Sequence, residues 1–271
     1  MTDAHPAPGW DEGSRRNWLR GLLRDSIGGL RLASRQLLDL LYPPQCPGCG
    51  RVGVLFCDRC RWLVQAYPTD VCLRCARPLP TRGLCPTCST AVSSLEAIFP
   101  ATVFAGPIRK AIHDFKYEGV VDLAGPLAEW LYATWRLHAL AADLIVPVPL
   151  HRKREAERGY NQAALLAREL SPRVNVPVAP AELVRTVQTR PQVGLSRDER
   201  RTNIAGAFRC AGKVTDLRIV LVDDVCTTGA TLEACATELK AAGARQLAAL
   251  TVARPSFEIS SAAYPADDPA A

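Results

Sequence analysis

The run Ile219-Val220-Leu221-Val222 is short, largely β-branched and has no polar face. Such a run reads as a strand buried on both sides in a parallel sheet. Residues Leu232 to Ala242 suit a helix, and Gly243 supplies a stop. Asp223 to Thr231 is therefore predicted to be a turn between a parallel strand and a helix. Open α/β sheets bind ligands at such carboxyl ends of strands. The expected class is α/β, a parallel sheet with helices on both faces.

The chemistry of that turn, Asp223-Asp-Val-Cys-Thr-Thr-Gly-Ala-Thr231, is selective. Thr227, Thr228, Gly229, Ala230 and Thr231 are small or hydroxylated, and a glycine there lets the backbone approach a ligand closely. Free N–H groups at a helix start attract anions, and the helix dipole adds roughly 0.3–1 kcal/mol per charge. Asp223 and Asp224 would repel a phosphate, so they suit hydroxyls or a metal. Phosphate on one side and a diol on the other describe a ribose 5-phosphate. A helix cap alone would need one aspartate, not two with three threonines. Neither G-x-x-x-x-G-K-[ST] nor a strand-borne G-x-G-x-x-G occurs.

The chain has eleven cysteines, and eight form four C-x-x-C pairs: Cys46/Cys49, Cys57/Cys60, Cys72/Cys75 and Cys85/Cys88. Four closely spaced pairs point to zinc. Disulfides and an iron–sulfur cluster are the competing uses of such thiols. Eight ligands make two sites of four thiolates, with neighbouring pairs sharing a metal; an interleaved pairing is the alternative. All-cysteine sites leave no open position, so the metals would be structural. Pro47 and Gly48 suit a tight knuckle. Cys210, Cys226 and Cys235 stand alone and read as small core or loop residues.

With 271 residues the chain can hold one α/β domain and a small module. Its formal charge of +6 permits anionic ligands without demanding them. No apolar stretch is long enough for a bilayer and the N-terminus lacks a signal-peptide core, so a cytoplasmic location is expected. Residues 1–41 read as a disordered start followed by a basic amphipathic helix from 14, residues 42–92 as the zinc module, 93–255 as the α/β domain and 256–271 as a loose tail. Leu144 to Pro149 is a second predicted buried strand, running into a cationic loop, Leu150 to Gln162, before a helix to Leu170. Residues 183–203 form a long polar segment, of the kind that is usually functional or disordered. Ile108 to Tyr117 is predicted to be a helix ending in Lys116 and Tyr117. His113 and His138 lack ligand-like companions. Aromatics are 6% of the chain and form no interleaved platform for single-stranded nucleic acid.

These segments together resemble the competence protein ComF/GntX family, in which a double zinc ribbon precedes a type I phosphoribosyltransferase fold. The resemblance rests on VDDVCTTGAT, VPVPL with RGYNQA, TRPQVGLSRDERRTNIAGAF, and FKY at 115–117. It implies that the chain binds 5-phosphoribosyl 1-pyrophosphate (PRPP) with Mg²⁺. Asp223 and Asp224, the candidate catalytic residues, would hold the ribose hydroxyls, and Thr227 to Thr231 the 5-phosphate. His151 and Arg152 would face pyrophosphate. A mobile flap over residues 185–203 would add Arg185, Arg190, Arg197 and Arg200. A hood from residues 94–120 and the zinc module would choose the acceptor, an unidentified base or other nucleophile. Family members are linked to natural transformation, which makes single-stranded DNA a second candidate partner and a non-catalytic PRPP sensor a further reading. Oligomeric state is not legible.

Overall fold

The computed structural model describes residues 43–187 and 206–256. The helix expected over 14–41 and all of the expected tail beyond Ser256 lie outside them, as do Arg190, Arg197 and Arg200.

The chain divides into two compact units. In the first, Gln45 and Val52 form an antiparallel bridge and the Gly53 N–H donates to the Pro44 carbonyl at 2.8 Å. The second unit holds the cysteine module, Cys46–Gly50 and Leu55 onward, together with the sheet.

The cysteine module repeats one device twice. In each half a knuckle holds the first C-x-x-C pair, and the second pair begins a short helix: α1 (Asp58–Trp62) after Cys57, and α2 (Pro86–Thr90) after Cys85. The knuckles close with Gly50 N–H to Cys46 C=O at 2.8 Å and Ala76 N–H to Cys72 C=O at 2.7 Å. Gly50 and Ala76 both sit at positive φ, +75° and +52°. Glycine takes that conformation freely, whereas alanine does so at a cost.

The sheet follows. β1 (Ala97–Val103) leads into α3 (Gly106–Tyr117) and, past a short 3₁₀ turn, α4 (Ala124–Leu137). β2 (Leu144–Pro147), α5 (Arg152–Arg158) and α6 (Gln162–Val174) come next. An antiparallel pair, β3 (Leu183–Arg185) with β4 (Phe208–Cys210), precedes β5 (Arg218–Val225), α7 (Ala230–Ala241) and β6 (Gln246–Arg254). The main sheet is wholly parallel in the order β1-β6-β5-β2, with Pro147 beside Val222 and Val222 beside Leu250. All four strands therefore end at one edge.

Side chains alternate across β5. Ile219 and Leu221 join Leu232, Cys235, Ala236 and Leu239 of α7 in one core, while buried Val220 and Val222 face the other way. There α6 packs on β2 and β5, and α4 packs on β1 and β6. This is the expected parallel α/β class with helices on both faces.

Two boundaries differ from the sequence reading. β5 runs on through Asp223, Asp224 and Val225, so the turn shrinks to Cys226–Gly229. Parallel pairing of Asp223 with Thr251 and Val225 with Ala253 extends the ladder past the apolar run. The segment expected as a cationic loop after Pro149 contains α5, whose residues are all solvent-accessible. The His151 side chain caps that helix by accepting from the Lys153 N–H, and Gly159 ends it in the left-handed region.

Candidate phosphoribosyl site and metal centres

The two groups Cys46/Cys49/Cys57/Cys60 and Cys72/Cys75/Cys85/Cys88 each bring four sulfurs within 4.8 Å of one another. Neighbouring pairs thus converge, rather than interleaving. The donor set fits a tetrahedral thiolate metal such as zinc. Backbone N–H groups point at sulfur in both: Cys57 N–H to Cys46 Sγ at 3.5 Å, and Cys85 N–H to Cys72 Sγ at 3.3 Å. Burial opposes ionisation of Cys46, but the N–H donors of Cys57, Gly48 and Cys49 outweigh it and bring the thiol to about 7. Cys72 behaves alike, with burial overcome by the N–H groups of Cys85, Cys75 and Arg74, and reaches about 6. Burial, then the neighbouring thiols, push Cys60 and Cys88 upward instead. Four thiols this close resist ionising together unless a cation joins them.

At the carboxyl edge of the sheet a cavity of about 430 Å³ opens between α3, the end of β2, Arg185 of β3 and the end of β5. Asp223, Asp224, Thr227 and Thr231 line it. Thr228 and Gly229 lie on the reverse of the same turn, facing Cys75 and Cys88 of the second cysteine group. Gly229 has φ +82°, and the Thr228 hydroxyl accepts from the Ala230 N–H at 3.3 Å. Glycine at 229 is thus required by the turn itself.

Asp224 is 3% exposed, and its Oδ2 lies 2.8 Å from Lys116 Nζ, outside good hydrogen-bond geometry. Burial and then the Asp224 charge push the Asp223 carboxyl well above the usual carboxylate range, with Lys116 partly opposing the shift. Burial works against the Lys116 ammonium, but Asp224 beside it more than offsets that, so its net shift is upward. The floor of the turn is also unusual. Arg254, at the end of β6, is 2% exposed, and its Nη1 lies 3.0 Å from Cys226 Sγ. Burial holds the Cys226 thiol protonated, with Arg254 opposing.

Across the cavity stand Arg154 of α5 and Arg185 of β3. Burial and then the charge of Arg154 work against the Arg185 cation. Two guanidinium groups that repel each other beside an open cavity favour an anion between them. His151 and Arg152, named from sequence, do not line the cavity; the ring of His151 is occupied in capping α5, and Arg152 is exposed. Sequence reasoning gave Lys116 no role and placed Arg154 only within the cationic loop expected to face pyrophosphate. The FKY segment marked the first, and the density of cations after β2 marked the second.

Two ribbons of four cysteines joined to a parallel sheet with a hydroxyl-rich turn after an acid pair define a double zinc ribbon with a phosphoribosyltransferase-type domain. A family model of the double zinc ribbon domain matches residues 37–89, and one of the phosphoribosyl transferase domain matches residues 156–264. Competence protein F of Haemophilus influenzae is 31% identical over 207 residues, covering 73% of this chain and 90% of that protein. The DNA utilization protein YhgH of Escherichia coli is 29% identical, covering 69% and 92%. A solved purine phosphoribosyltransferase from Pyrococcus horikoshii is 22% identical, with a TM-score of 0.30 over 48% of this chain and 70% of that one. The chain belongs to the competence protein F family. No helix among the described residues is long and apolar enough to cross a membrane.

Proposed function

We propose that the chain binds PRPP with Mg²⁺ and transfers its phosphoribosyl group to an acceptor nucleophile. One observation carries this reading: an acid pair with Asp224 buried, Thr227 and Thr231 of the hydroxyl-rich turn, and two mutually repelling arginines line a single cavity. In this reading Thr227 and Thr231, with the N–H groups of the turn between them, take the 5-phosphate, the acid pair takes the ribose hydroxyls, and Arg154 with Arg185 takes the pyrophosphate. Asp224 Oδ2, poorly satisfied by Lys116, has capacity to accept from a hydroxyl. Mg²⁺ prefers hard oxygen ligands, which the acid pair and the substrate's own phosphate oxygens would offer, its charge favouring the ionised form of Asp223. When bound, it neutralises charge on the departing pyrophosphate.

Transfer breaks the C1–O bond, and pyrophosphate leaves with the bonding pair. The acceptor lone pair closes on C1, and the acceptor gives up a proton. The ribose gains positive character on the way, which the fixed carboxylates would stabilise. Zinc, held by the eight thiolates, would be structural.

A second reading, a PRPP sensor or single-stranded-DNA accessory without turnover, draws on the competence and DNA-utilization names of the relatives and on the exposed Arg152 and Lys153. Calorimetry with PRPP and Mg²⁺ tests binding, and a screen of bases for pyrophosphate release tests turnover. Gly229→Val should abolish PRPP binding. Its φ of +82° disfavours any side chain, and a Cβ there would lie 3.2 Å from Ile98 Cδ1. Unchanged PRPP affinity in that variant refutes the phosphate assignment.

A further inference from the structure

The face of α3 turned to the cavity has no task in PRPP binding as assigned above. Ile108, Ala111, Ile112 and Phe115 bury the inner face of this helix. The helical repeat then places Arg109, Lys110, His113 and Lys116 together on the other side, and all four line the cavity. Among the described residues, Asp223 and Asp224 are the only acidic ones lining the same cavity, both on β5. Lys116 is engaged with Asp224, and Lys110 with Asp114 at 3.2 Å, an i,i+4 pair. His113 lies 3.4 Å from Asp114. The Arg109 side chain has no hydrogen-bond or ion-pair partner among the described residues, and it is exposed to the cavity. An anion-binding wall thus stands on α3, separate from the Arg154 and Arg185 side. Phe104, at the end of β1, supplies an apolar flank.

We infer that the acceptor carries its own negative charge, a carboxylate or phosphate that Arg109 receives, with His113 beside it. The inference rests on the transferase reading and names the class of acceptor within it. An uncharged base would leave this wall unanswered. An acidic one would be attracted to it and held by a planar fork of donors. The acceptor's charge would also be kept apart from the acid pair, which faces the ribose.

The test is direct binding to the full-length, zinc-loaded protein, first of PRPP with Mg²⁺ and then of matched probes. Uracil and its 6-carboxylate, and pyridine-3-carboxamide and pyridine-2,3-dicarboxylate, report a carboxylate. Uridine and uridine 5′-monophosphate report a phosphate. At least one acidic probe should bind tenfold or more tightly than its neutral partner, and Arg109→Gln should remove that advantage while PRPP affinity stays within about threefold. Failure of PRPP to bind the wild-type protein overturns the transferase reading and this inference together. PRPP binding with no preference for any acidic probe, or with a preference that survives Arg109→Gln, overturns the inference alone. So does an Arg109-dependent gain seen only with a single-stranded oligonucleotide, which would assign the wall to a polyanion.

Discussion

Replacing Lys116 with Met keeps most of the length of the side chain and removes its charge. Lys116 is about one-fifth exposed and Asp224 is nearly sealed, with their charges 2.8 Å apart. At an effective dielectric of about 20 that separation corresponds to ~6 kcal/mol of attraction. Desolvation of the two ions offsets part of it, and loss of one partner from a buried pair costs about 3–5 kcal/mol. With Lys116 partly open to solvent, about 3 kcal/mol is the appropriate figure, or roughly 6–12 °C in melting temperature for a domain of this size. The loss depends on pH, and its sign follows from Asp223. A carboxyl raised in the folded state contributes stability that is present below its unfolded value, near 3.9, and lost as pH rises through the folded value. Without Lys116 the Asp223 carboxyl is raised further, because Lys116 is the larger of the influences that oppose the shift. Lys116→Met should therefore sit closest to wild type at pH 5 and fall away toward pH 8. Adding Asp224→Asn should recover much of the loss. Urea titrations at several pH values measure this. A pH-independent deficit under 1 kcal/mol, with no recovery in the double variant, would refute the coupling.

Metal analysis under reducing conditions should find two zinc ions per chain, and Cys46→Ser should leave one while the sheet stays folded; a metal-free but fully folded cysteine module would sink the zinc reading. Gly48→Ala should likewise cost the first site, since its Cβ would lie 2.6 Å from Cys60 Sγ. If single-stranded DNA binds through α5, the salt slope should be about −0.7 per phosphate contacted. Arg152→Ala with Lys153→Ala should then flatten it without weakening PRPP, because neither side chain lines the cavity; absence of retardation at low salt removes the DNA reading.

What the sequence makes legible here is what local spacing encodes. Four C-x-x-C pairs announce two tetrathiolate sites because each pair is a complete half-site. Asp223 to Thr231 announces a strand-end ligand turn because its residue types are useless in a core. Contacts made across the sheet are a different matter. Lys116 meets Asp224 only because β1 and β5 end at the same edge and α3 folds back over it. Arg254 meets Cys226 because β6 lies between those strands, so a thiol that reads as a small core or loop residue is buried and packed against a buried guanidinium. His151 shows the converse. The family resemblance implies that it faces pyrophosphate, yet a local demand, the free N–H of Lys153, takes its ring. Arg154, three residues on, reaches the cavity through the pitch of α5.

The second cysteine ribbon is built into the sheet rather than hung from it. Tyr67 N–H donates to Ala101 C=O at 3.0 Å and Val103 N–H to Gln65 C=O at 2.9 Å, so the chain between the two cysteine groups covers the outer edge of β1. An exposed edge strand invites pairing with other chains, and the cover removes it. Further on, Glu233 in the first turn of α7 accepts from the Ser93 hydroxyl and the Ser94 N–H, both at 2.6 Å. That ties the exit of the second ribbon to the helix whose start forms the hydroxyl-rich turn. Cys75, Cys88 and Ile98 stand behind Thr228 and Gly229. The turn is thus held from the rear by the metal-ligand segment and from below by Arg254. A ligand turn must present its N–H groups without first paying to order them, and such support on two sides is what preorganisation requires. The cysteine ribbon and the hydroxyl-rich turn therefore share one mechanical frame, in which a Cβ at Gly229 would press on Ile98 Cδ1 at 3.2 Å.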